Sequence, residues 1–280
     1  MTTVTSPAPA RARTTDEGIR LGFARVLRSE TIKLLTLRST WWSIIVVALL
    51  SVALSALIAA SIAASMQQGV SATDLAHAVP MAVIAPIQFT MLLAGSLGAI
   101  AITGEYSTGM IRSTLAAEPR RGVVLAAKTI VVAALLAVVS LVVFALALIP
   151  VCAILKAAPL DVTDPGTLLL PVLYGCLSMA VFAVLGLSFG FILRNGPGAI
   201  AATAGLLFVL PIVGSMFPSE GAWSWLHTVA AYLPMNAAQA LTTTPGEHGM
   251  MTVPVALLTL GGWVAAGLVG SWLVLRTRDA

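Results

Sequence analysis

The sequence is poor in charged residues. Lys and Arg number 15 and Asp and Glu number 11 among 280 residues, so that 9% of the chain is charged, whereas a soluble globular domain carries about 25%. Hydrophobic residues make up 59%, and the mean hydropathy is +1.00. A soluble fold of this size could not cover its surface with so few charges. This excludes a cytosolic enzyme, a disordered chain and a nucleic-acid-binding domain as the main identity of the chain.

The chain also lacks the motifs of common catalytic sites. No Cys/His pattern has metal-ligand spacing, and neither a His-Glu-x-x-His nor a Gly-x-x-x-x-Gly-Lys-Ser/Thr motif occurs. We therefore expect no metal, no cofactor and no ATPase site in this chain, and we do not expect an enzyme. The two cysteines, Cys152 and Cys176, could pair, but their apolar surroundings favour two buried thiols that act as small hydrophobic side chains.

Uncharged apolar runs long enough to cross about 30 Å of hydrocarbon recur along the chain. They are Trp42–Ala64, Met81–Ile102, Thr129–Leu155, Leu169–Leu193, Ala199–Phe217 and Val253–Leu275. The runs lack the alternating pattern of a membrane β-barrel, and a helix satisfies its backbone polar groups internally. The sequence predicts an all-α, polytopic membrane protein with six transmembrane helices.

Proline and glycine indicate how these helices bend and pack. Pro150 and Pro211 lie deep in their runs and are expected to kink the helices, because proline lacks the N–H of the helical hydrogen bond. Gly186 and Gly190, four residues apart, form a small-residue face that favours close contact with another helix.

The basic residues are distributed unevenly among the segments between the runs. Fourteen of the fifteen fall in the N-terminal segment, the second and fourth loops and the tail, and only Lys156 falls on the other side. The positive-inside rule then places both termini in the cytoplasm. We expect a multi-pass protein of the plasma (inner) membrane.

The chain divides into three parts. Residues 1–17, rich in Thr, Pro, Ala and Arg, are expected to be a disordered cytoplasmic tail. Residues 18–40 have an apolar stripe at helical spacing, with arginines outside it, and predict an N-terminal amphipathic helix that lies on the inner leaflet and runs directly into Trp41 and Trp42. Residues 41–280 form the six-span domain.

Glu30 interrupts the apolar stripe of the predicted interface helix. A carboxylate that faces lipid is costly, so Glu30 needs a partner. Lys33, three residues further on, is the local candidate. Two interpretations remain: a simple surface pair within one helix, or a contact with another protein chain.

The second loop, residues 103–122, has the clearest secondary-structure signals outside the spans. Ser107 or Thr108 can cap a helix, Pro119 ends it, and a helix of about ten residues parallel to the membrane follows. Glu105 and Arg112 are seven residues apart and fall on nearly the same face. The helix either rests on lipid or docks a cytoplasmic partner through a small apolar face, which comprises Met110, Ile111 and Leu115.

The fifth loop, residues 218–252, contains no basic residue. The spacing of Trp223, Leu226 and Ala230 predicts a short helix, and a second one is predicted over Met235–Leu241. We expect this external, re-entrant segment before span 6 to be either an aromatic belt at the membrane interface or a lid over an outer exit path.

The uncharged spans bear on the energy source of any transport. Proton-coupled carriers usually need an ionisable residue near the middle of the membrane, and no apolar run contains one. If the chain moves a substrate, an ATPase on another polypeptide is the expected driver.

Three segments carry a family resemblance. They are Arg-Ser-Glu-Thr-Ile-Lys at 28–33 leading to Trp41 and Trp42, Thr-Gly-Glu-Tyr at 103–106 with Pro-Arg-Arg at 119–121, and Tyr-Leu-Pro at 232–234 with Asn-Ala-Ala-Gln-Ala-Leu at 236–241. Together they resemble the entry helix, the first cytoplasmic loop with its coupling helix, and the segment before the last span of ABC-2 (type-2 ATP-binding cassette) permeases. The resemblance covers residues 19–280 and is strongest to six-span permeases of high-GC Gram-positive bacteria.

The resemblance implies the permease subunit of an exporter. Such a subunit forms a homodimer or heterodimer and docks separate ATPase subunits, which hold ATP and Mg²⁺. The alternatives are a membrane anchor or regulatory subunit that transports nothing, and a secondary carrier. By resemblance, the roles fall on three groups of residues: ATPase coupling on Glu105, Tyr106, Gly109, Met110, Ile111, Arg112 and Leu115, the interface helix on Glu30, Lys33 and Arg38, and an external gate on Tyr232, Pro234 and Asn236.

Overall fold

The apolar runs of the sequence form helices. The structure, a computed structural model, describes residues 22–66, 72–155, 168–218, 220–221, 223–242 and 251–278, of which 90% are helical and none lies in a strand. In chain order the helices are α1 (Phe23–Thr36), α2 (Arg38–Met66), α3 (Ala72–Ile84), α4 (Ile87–Ser107), α5 (Met110–Ala117), α6 (Arg121–Leu155), α7 (Leu169–Leu193), α8 (Gly196–Ala204), a π turn (Gly205–Val209), α9 (Leu210–Ser215), α10 (Ser224–Ala231), α11 (Pro234–Thr242) and α12 (Val253–Thr277).

Six helical segments in the described part of the chain are long and apolar enough to cross a membrane. They are Arg38–Ser65, Ala78–Ser107, Arg121–Leu155, Leu169–Leu193, Gly196–Ser215 and Val253–Thr277. The prediction of an all-helical protein with six such segments is confirmed. The helices extend beyond the uncharged runs, so that Glu105 and Lys128 lie inside helices of membrane-spanning length. The predicted tail, residues 1–17, lies outside the described residues.

The helix ends meet at one end of the bundle, which we call the basic end. Lys33 of α1 lies beside Glu105 in the last turn of α4. Arg121, at the beginning of α6, donates a hydrogen bond to the carbonyl of Leu275, near the end of α12. Both α1 and the end of α12 therefore lie at the basic end, while α10 and α11, which precede α12, lie toward the other end.

Small residues bring α4 and α7 together at the centre of the bundle. A methyl group on Gly186 would overlap the backbone of Gly95, and one on Gly98 would overlap the backbone of Ala183. Gly190 also packs closely against the side chain of Ile102 in α4. The close helix contact predicted from Gly186 and Gly190 is therefore confirmed. Cys152 and Cys176 are separate thiols; the first is half-buried and the second is buried.

Proline interrupts two of the six segments. The second predicted run lies within one segment, Ala78–Ser107, but that segment contains a two-residue turn, because α3 ends at Ile84 and α4 begins at Ile87, directly after Pro86. The fifth run is distorted as expected near Pro211. There the Leu210 N–H bonds to the Gly205 carbonyl in a π turn, a wider turn that accommodates an irregular hydrogen-bond pattern. By contrast, α6 remains helical through Pro150.

The N-terminal helix ends earlier than predicted. Residues 18–21 lie outside the described residues, and the helix ends at Thr36, where Leu37 takes an extended conformation with φ −75° and ψ 118°. The expectation of one helix running through residue 40 is wrong, because α2 begins anew at Arg38. The Trp41 indole N–H donates to the Leu35 carbonyl (N···O 2.8 Å) and joins the two helices across the break.

Candidate functional site

Four charged side chains from three helices converge at the basic end. We call Glu30 and Lys33 of α1, Glu105 of α4 and Lys128 of α6 the charged cluster. Lys33 Nζ lies 2.6 Å from Glu30 Oε1 and 3.2 Å from Glu105 Oε1. Lys128 Nζ lies 2.9 Å from Glu105 Oε1 and also donates to Glu30 Oε2. The cluster therefore joins α1 to the two helices that flank α5.

Helical spacing places each member of the cluster. In α1 the buried side chains are Val26, Glu30 and Leu34, four residues apart, so Glu30 points inward with the apolar stripe. Lys128 follows the buried Val124 by one turn of α6 and occupies the same inward face. Glu105 lies in the last turn of α4, where the negative end of the helix dipole disfavours a carboxylate. The two ammonium groups offset that repulsion.

The cluster is almost closed to water. The Glu30, Glu105 and Lys128 side chains are 2%, 4% and 2% exposed, and Lys33 is 23% exposed. Burial of an isolated ion costs several kcal/mol, and pairing offsets that cost when the geometry is good. Two carboxylates and two ammonium groups balance here, so each charge depends on the others.

The electrostatic balance is visible in the α1 pair. Burial acts to raise the pKa of the Glu30 carboxyl, but the ammonium groups of Lys128 and Lys33 outweigh it and hold that pKa below its ordinary value. Burial likewise acts to lower the pKa of Lys33, but its bonds to Glu30 and Glu105 outweigh this and raise the pKa. Both groups are therefore charged at neutral pH.

The prediction that Glu30 pairs with Lys33 is confirmed, but the pair is not a simple surface contact. The second partner of Glu30, Lys128, is 98 residues away in the sequence. This contact was not predicted. One signal was present: Lys128 follows Val124 and precedes Val132 at intervals of four, so it shares a face with apolar side chains. A lone cation on such a face needs a buried partner.

The short helix α5 is linked to the cluster by one hydrogen bond. Lys33 Nζ donates to Thr114 Oγ1 at 3.2 Å. The helix itself was predicted, and Pro119 follows its end as expected, but its capping was not. Gly109, in the left-handed region with φ 73°, precedes its first residue, and the Ser107 and Thr108 hydroxyls donate instead to the Gly104 carbonyl, within α4.

The turn at Gly109 changes the expected faces. Glu105 and Arg112 lie on different helices, so the expectation that they share one face of a single helix is wrong. Glu105 is also buried against the chain's own lysines and is not displayed to a partner. Of the apolar side chains expected to face a partner, Ile111 is 2% exposed and Leu115 packs against the core, which leaves Met110 exposed.

Arginine side chains fasten the remaining helix ends at the basic end. The Arg194 guanidinium lies 5.2 Å from the centre of the Tyr106 ring, within the range of a cation–π interaction. The same guanidinium donates to the carbonyls of Val274 and Arg278 at 3.4 and 3.2 Å. Arg194 thus joins the ends of α4, α7 and α12, and its partner Tyr106 belongs to α4 and is not on the surface of α5.

The outer surface of the basic end is positively charged. Six arginines are exposed and form no ion pair within the described part of the chain: Arg25, Arg28, Arg38, Arg112, Arg276 and Arg278. The described carboxylates nearby are neutralised internally, since Glu118 accepts from Arg120 Nε at 2.8 Å and the other two belong to the charged cluster. The surface can therefore attract an acidic partner or an anionic membrane.

At the opposite end, both helices predicted in the fifth loop exist, as α10 and α11. The Asn236 side-chain amide donates to the Ala230 carbonyl at 2.7 Å, and the Trp263 indole N–H donates to the Tyr232 carbonyl at 2.9 Å. Pro234, the first residue of α11, is buried. The three predicted gate residues thus form a compact turn held against α12, and their role as a gate stays a prediction.

The described part of the chain is helical, with six segments long and apolar enough to cross a membrane and a buried charged cluster at one end. No protein-family model matches the chain, and a search of the curated proteins finds no similar protein.

Proposed function

We propose that this chain is the permease subunit of an ATP-binding cassette exporter, driven by a separate ATPase subunit. The observation that carries the proposal is the link from α5 through Lys33 to Glu30, Glu105 and Lys128. A small helix between two spans that is tied to three longer helices is suited to transmit force. The resemblance of residues 28–42, 103–128 and 232–241 to ABC-2 permeases supports the same function.

The mechanical argument starts from the connections of α5. The helix lies in the segment that joins α4 to α6, and the charged cluster ties α4 and α6 to α1. Displacement of α5 by a partner would therefore act on three longer helices together. A helix that only rested on lipid would need no polar link to buried charges inside the spans.

We place the basic end in the cytoplasm of the cell and the chain in the plasma membrane. Fourteen of the fifteen basic residues lie on this side by the sequence. On this placement α1 lies along the inner leaflet, where exposed Trp41 and Trp42 sit at the interface and Arg38 meets lipid headgroups. The α10–α11 turn with Tyr232, Pro234 and Asn236 then lies outside, where an exit gate of a dimeric exporter belongs.

The partner surface is the exposed side of α5. Arg112 and Met110 are accessible there, and the arginine attracts a carboxylate on the ATPase. Truncation of one member of a buried, hydrogen-bonded charge pair at an interface costs about 2–5 kcal/mol. Arg112→Glu should therefore weaken ATPase binding strongly.

The experiment is co-purification of the tagged chain with the ATP-binding protein encoded beside it, followed by ATP hydrolysis and substrate export in proteoliposomes. Arg112→Glu should lose the ATPase and the hydrolysis that depends on the permease, and yet remain in the membrane. Arg276→Glu, at the same end but on α12, is the matched control and should retain both. Unchanged binding in Arg112→Glu would refute this docking surface, and failure of the parent to bind any ATPase would refute the function.

One observation bears on the secondary-carrier alternative. Glu105 and Lys128 lie within helices of membrane-spanning length, although the uncharged runs exclude them. Their charges are paired within the cluster, however, and a carrier needs a group that exchanges its proton during transport. Uptake by the purified chain alone, driven by an imposed proton gradient, would favour the carrier over the proposal.

A further inference from the structure

We propose that Lys33 is the positioning residue of α5, and that Glu105 Oε2 is a reserve acceptor that lets α5 detach without leaving an N–H of Lys33 unpaired. The proposal rests on the proposed function for the meaning of α5 as the docking helix. It adds that α5 has an attached and a detached state, and that the ammonium group of Lys33 exchanges Thr114 Oγ1 for Glu105 Oε2 between them.

The hydrogen bonds of Lys33 account for its full capacity. An ammonium group has three N–H donors and no acceptor. Lys33 Nζ donates to Glu30 Oε1 at 2.6 Å, to Glu105 Oε1 at 3.2 Å and to Thr114 Oγ1 at 3.2 Å. The three acceptors belong to α1, α4 and α5 respectively, so these helices meet at Lys33.

The bond to Thr114 is the weakest tether of the three. Its acceptor is a neutral hydroxyl, whereas the other two acceptors are carboxylates, which form stronger bonds with an ammonium group. It is also the one side-chain hydrogen bond that joins α5 to another helix among the described residues. The Ser113 hydroxyl, for comparison, bonds within α5 to the Met110 carbonyl.

Glu105 has an unused oxygen at the right place. Its Oε1 accepts from both Lys33 and Lys128, while its Oε2 is buried and has no hydrogen-bond partner. A buried carboxylate oxygen without a donor is costly. When α5 moves and Thr114 withdraws, the freed N–H of Lys33 can turn to this oxygen of a carboxyl group that it already contacts.

The asymmetry of the cluster decides which side rearranges. Lys128 is 2% exposed and bonds to both carboxylates, whereas Lys33 is 23% exposed and faces α5. Lys128 therefore holds Glu30 and Glu105 in place while Lys33 changes partner. The loss of the Thr114 bond and the gain of the Oε2 bond offset one another, so a partner can select between attached and detached α5 with modest binding energy.

The test is hydrogen–deuterium exchange of the full chain in nanodiscs, without any ATPase. Thr114→Val removes the acceptor at nearly constant shape, and the amides of residues 110–117 should exchange about fivefold faster, as expected for the loss of one hydrogen bond. Thr114→Ser restores a hydroxyl and should return exchange to the parent rate. Ser113→Ala, which alters a hydroxyl with no contact to Lys33, is the matched control and should have little effect.

The reserve acceptor is tested in the same Thr114→Val variant. If Lys33 turns to Glu105 Oε2, the amides of α1 should stay as protected as in the parent while those of α5 are released. Loss of protection in α1 together with α5 would overturn the reserve acceptor, and unchanged exchange in α5 would overturn the positioning role. Because no ATPase is present, neither result depends on whether the exporter function is correct.

Discussion

Lys128 Nζ lies 2.9 Å from Glu105 Oε1, with both side chains at most 4% exposed. The pair connects α4 and α6 directly at the ends that α5 joins through the chain. The segment from α4 through α5 to α6 is thus bridged at its two ends by an ion pair. It forms a small closed loop, so α5 is not a free surface segment.

Neutralisation of one member of this pair should destabilise the protein strongly. Lys128→Met leaves two buried carboxylates with one ammonium group, and removal of one partner from a buried pair costs about 3–5 kcal/mol. The double variant Lys128→Met/Glu105→Gln keeps the charge balance and should be more stable than Lys128→Met alone. Unfolding temperatures of the purified proteins in detergent measure both effects. Equal destabilisation in the single and double variants would show that the cluster is held by shape and not by charge.

The stability supplied by the α1 pair should depend on pH at both extremes. The pKa of Glu30 lies below its ordinary value of 4.5, so its contribution is present above that pH and is lost as the pH falls through the lowered pKa. The pKa of Lys33 lies above its ordinary value of 10.5, so its contribution is present below that pH and is lost as the pH rises through the raised pKa.

The difference in unfolding temperature between the parent and Glu30→Gln should therefore be constant near neutral pH and shrink only in acid below pH 4.5. Glu220→Gln, which alters an exposed carboxyl on the other side of the bundle, serves as the control and should show no such difference. A parent advantage that varied between about pH 6 and 8 would contradict the pairing.

Close packing of α4 and α7 should make Gly186 intolerant of a side chain. A methyl group there overlaps the backbone of Gly95, which cannot move as a side chain can, and overpacking typically costs 1–3 kcal/mol or more. Gly262→Ala on α12 is the matched control, since nothing lies within 4 Å of its added carbon. The unfolding temperature should fall markedly for Gly186→Ala and stay near that of the parent for Gly262→Ala. Similar unfolding temperatures for the two variants would refute the close packing.

The proposed orientation can be tested by cysteine labelling in a Cys152→Ala/Cys176→Ala background. Ser113→Cys at the basic end and Glu220→Cys near α10 are both exposed positions. With the basic end in the cytoplasm, an impermeant thiol reagent applied to intact cells should label Glu220→Cys and spare Ser113→Cys until the membrane is opened. Labelling of Ser113→Cys from outside would reverse the orientation.

Local pattern was enough to predict the six helical segments, the two helices of the fifth loop and the Glu30–Lys33 pair. Each depends on hydrophobicity over one stretch of chain or on a spacing of three or four residues. The turn at Gly109 and the break at Leu37 are also local, but neither was predicted, because a single left-handed or extended residue leaves no periodic signal. For the same reason the capping residues at 107 and 108 were assigned to the wrong helix.

The charged cluster could not be predicted as a whole, because its bonds join residues far apart in the sequence. Glu105 and Lys128 flank a loop, and Glu30 approaches Lys128 only when α1 packs against α6. Reading spans as uncharged runs also placed Glu105 and Lys128 outside the helices that contain them. Ion pairs at helix ends are formed by tertiary packing, and no spacing rule within one segment identifies them.

The π turn at Gly205–Val209 fixes the rotational register of the fifth segment. A π turn takes up one residue more than an α-helical turn, and each residue of a helix turns it by about 100°. The turn thus absorbs one residue without rotating α9, and Gly214 meets the methyl group of Ala230 there. Deletion of one residue from the turn would convert it to an ordinary α-helical turn and keep Gly214 facing α10, whereas deletion of one residue from the regular helix before it would rotate Gly214 away by about 100°.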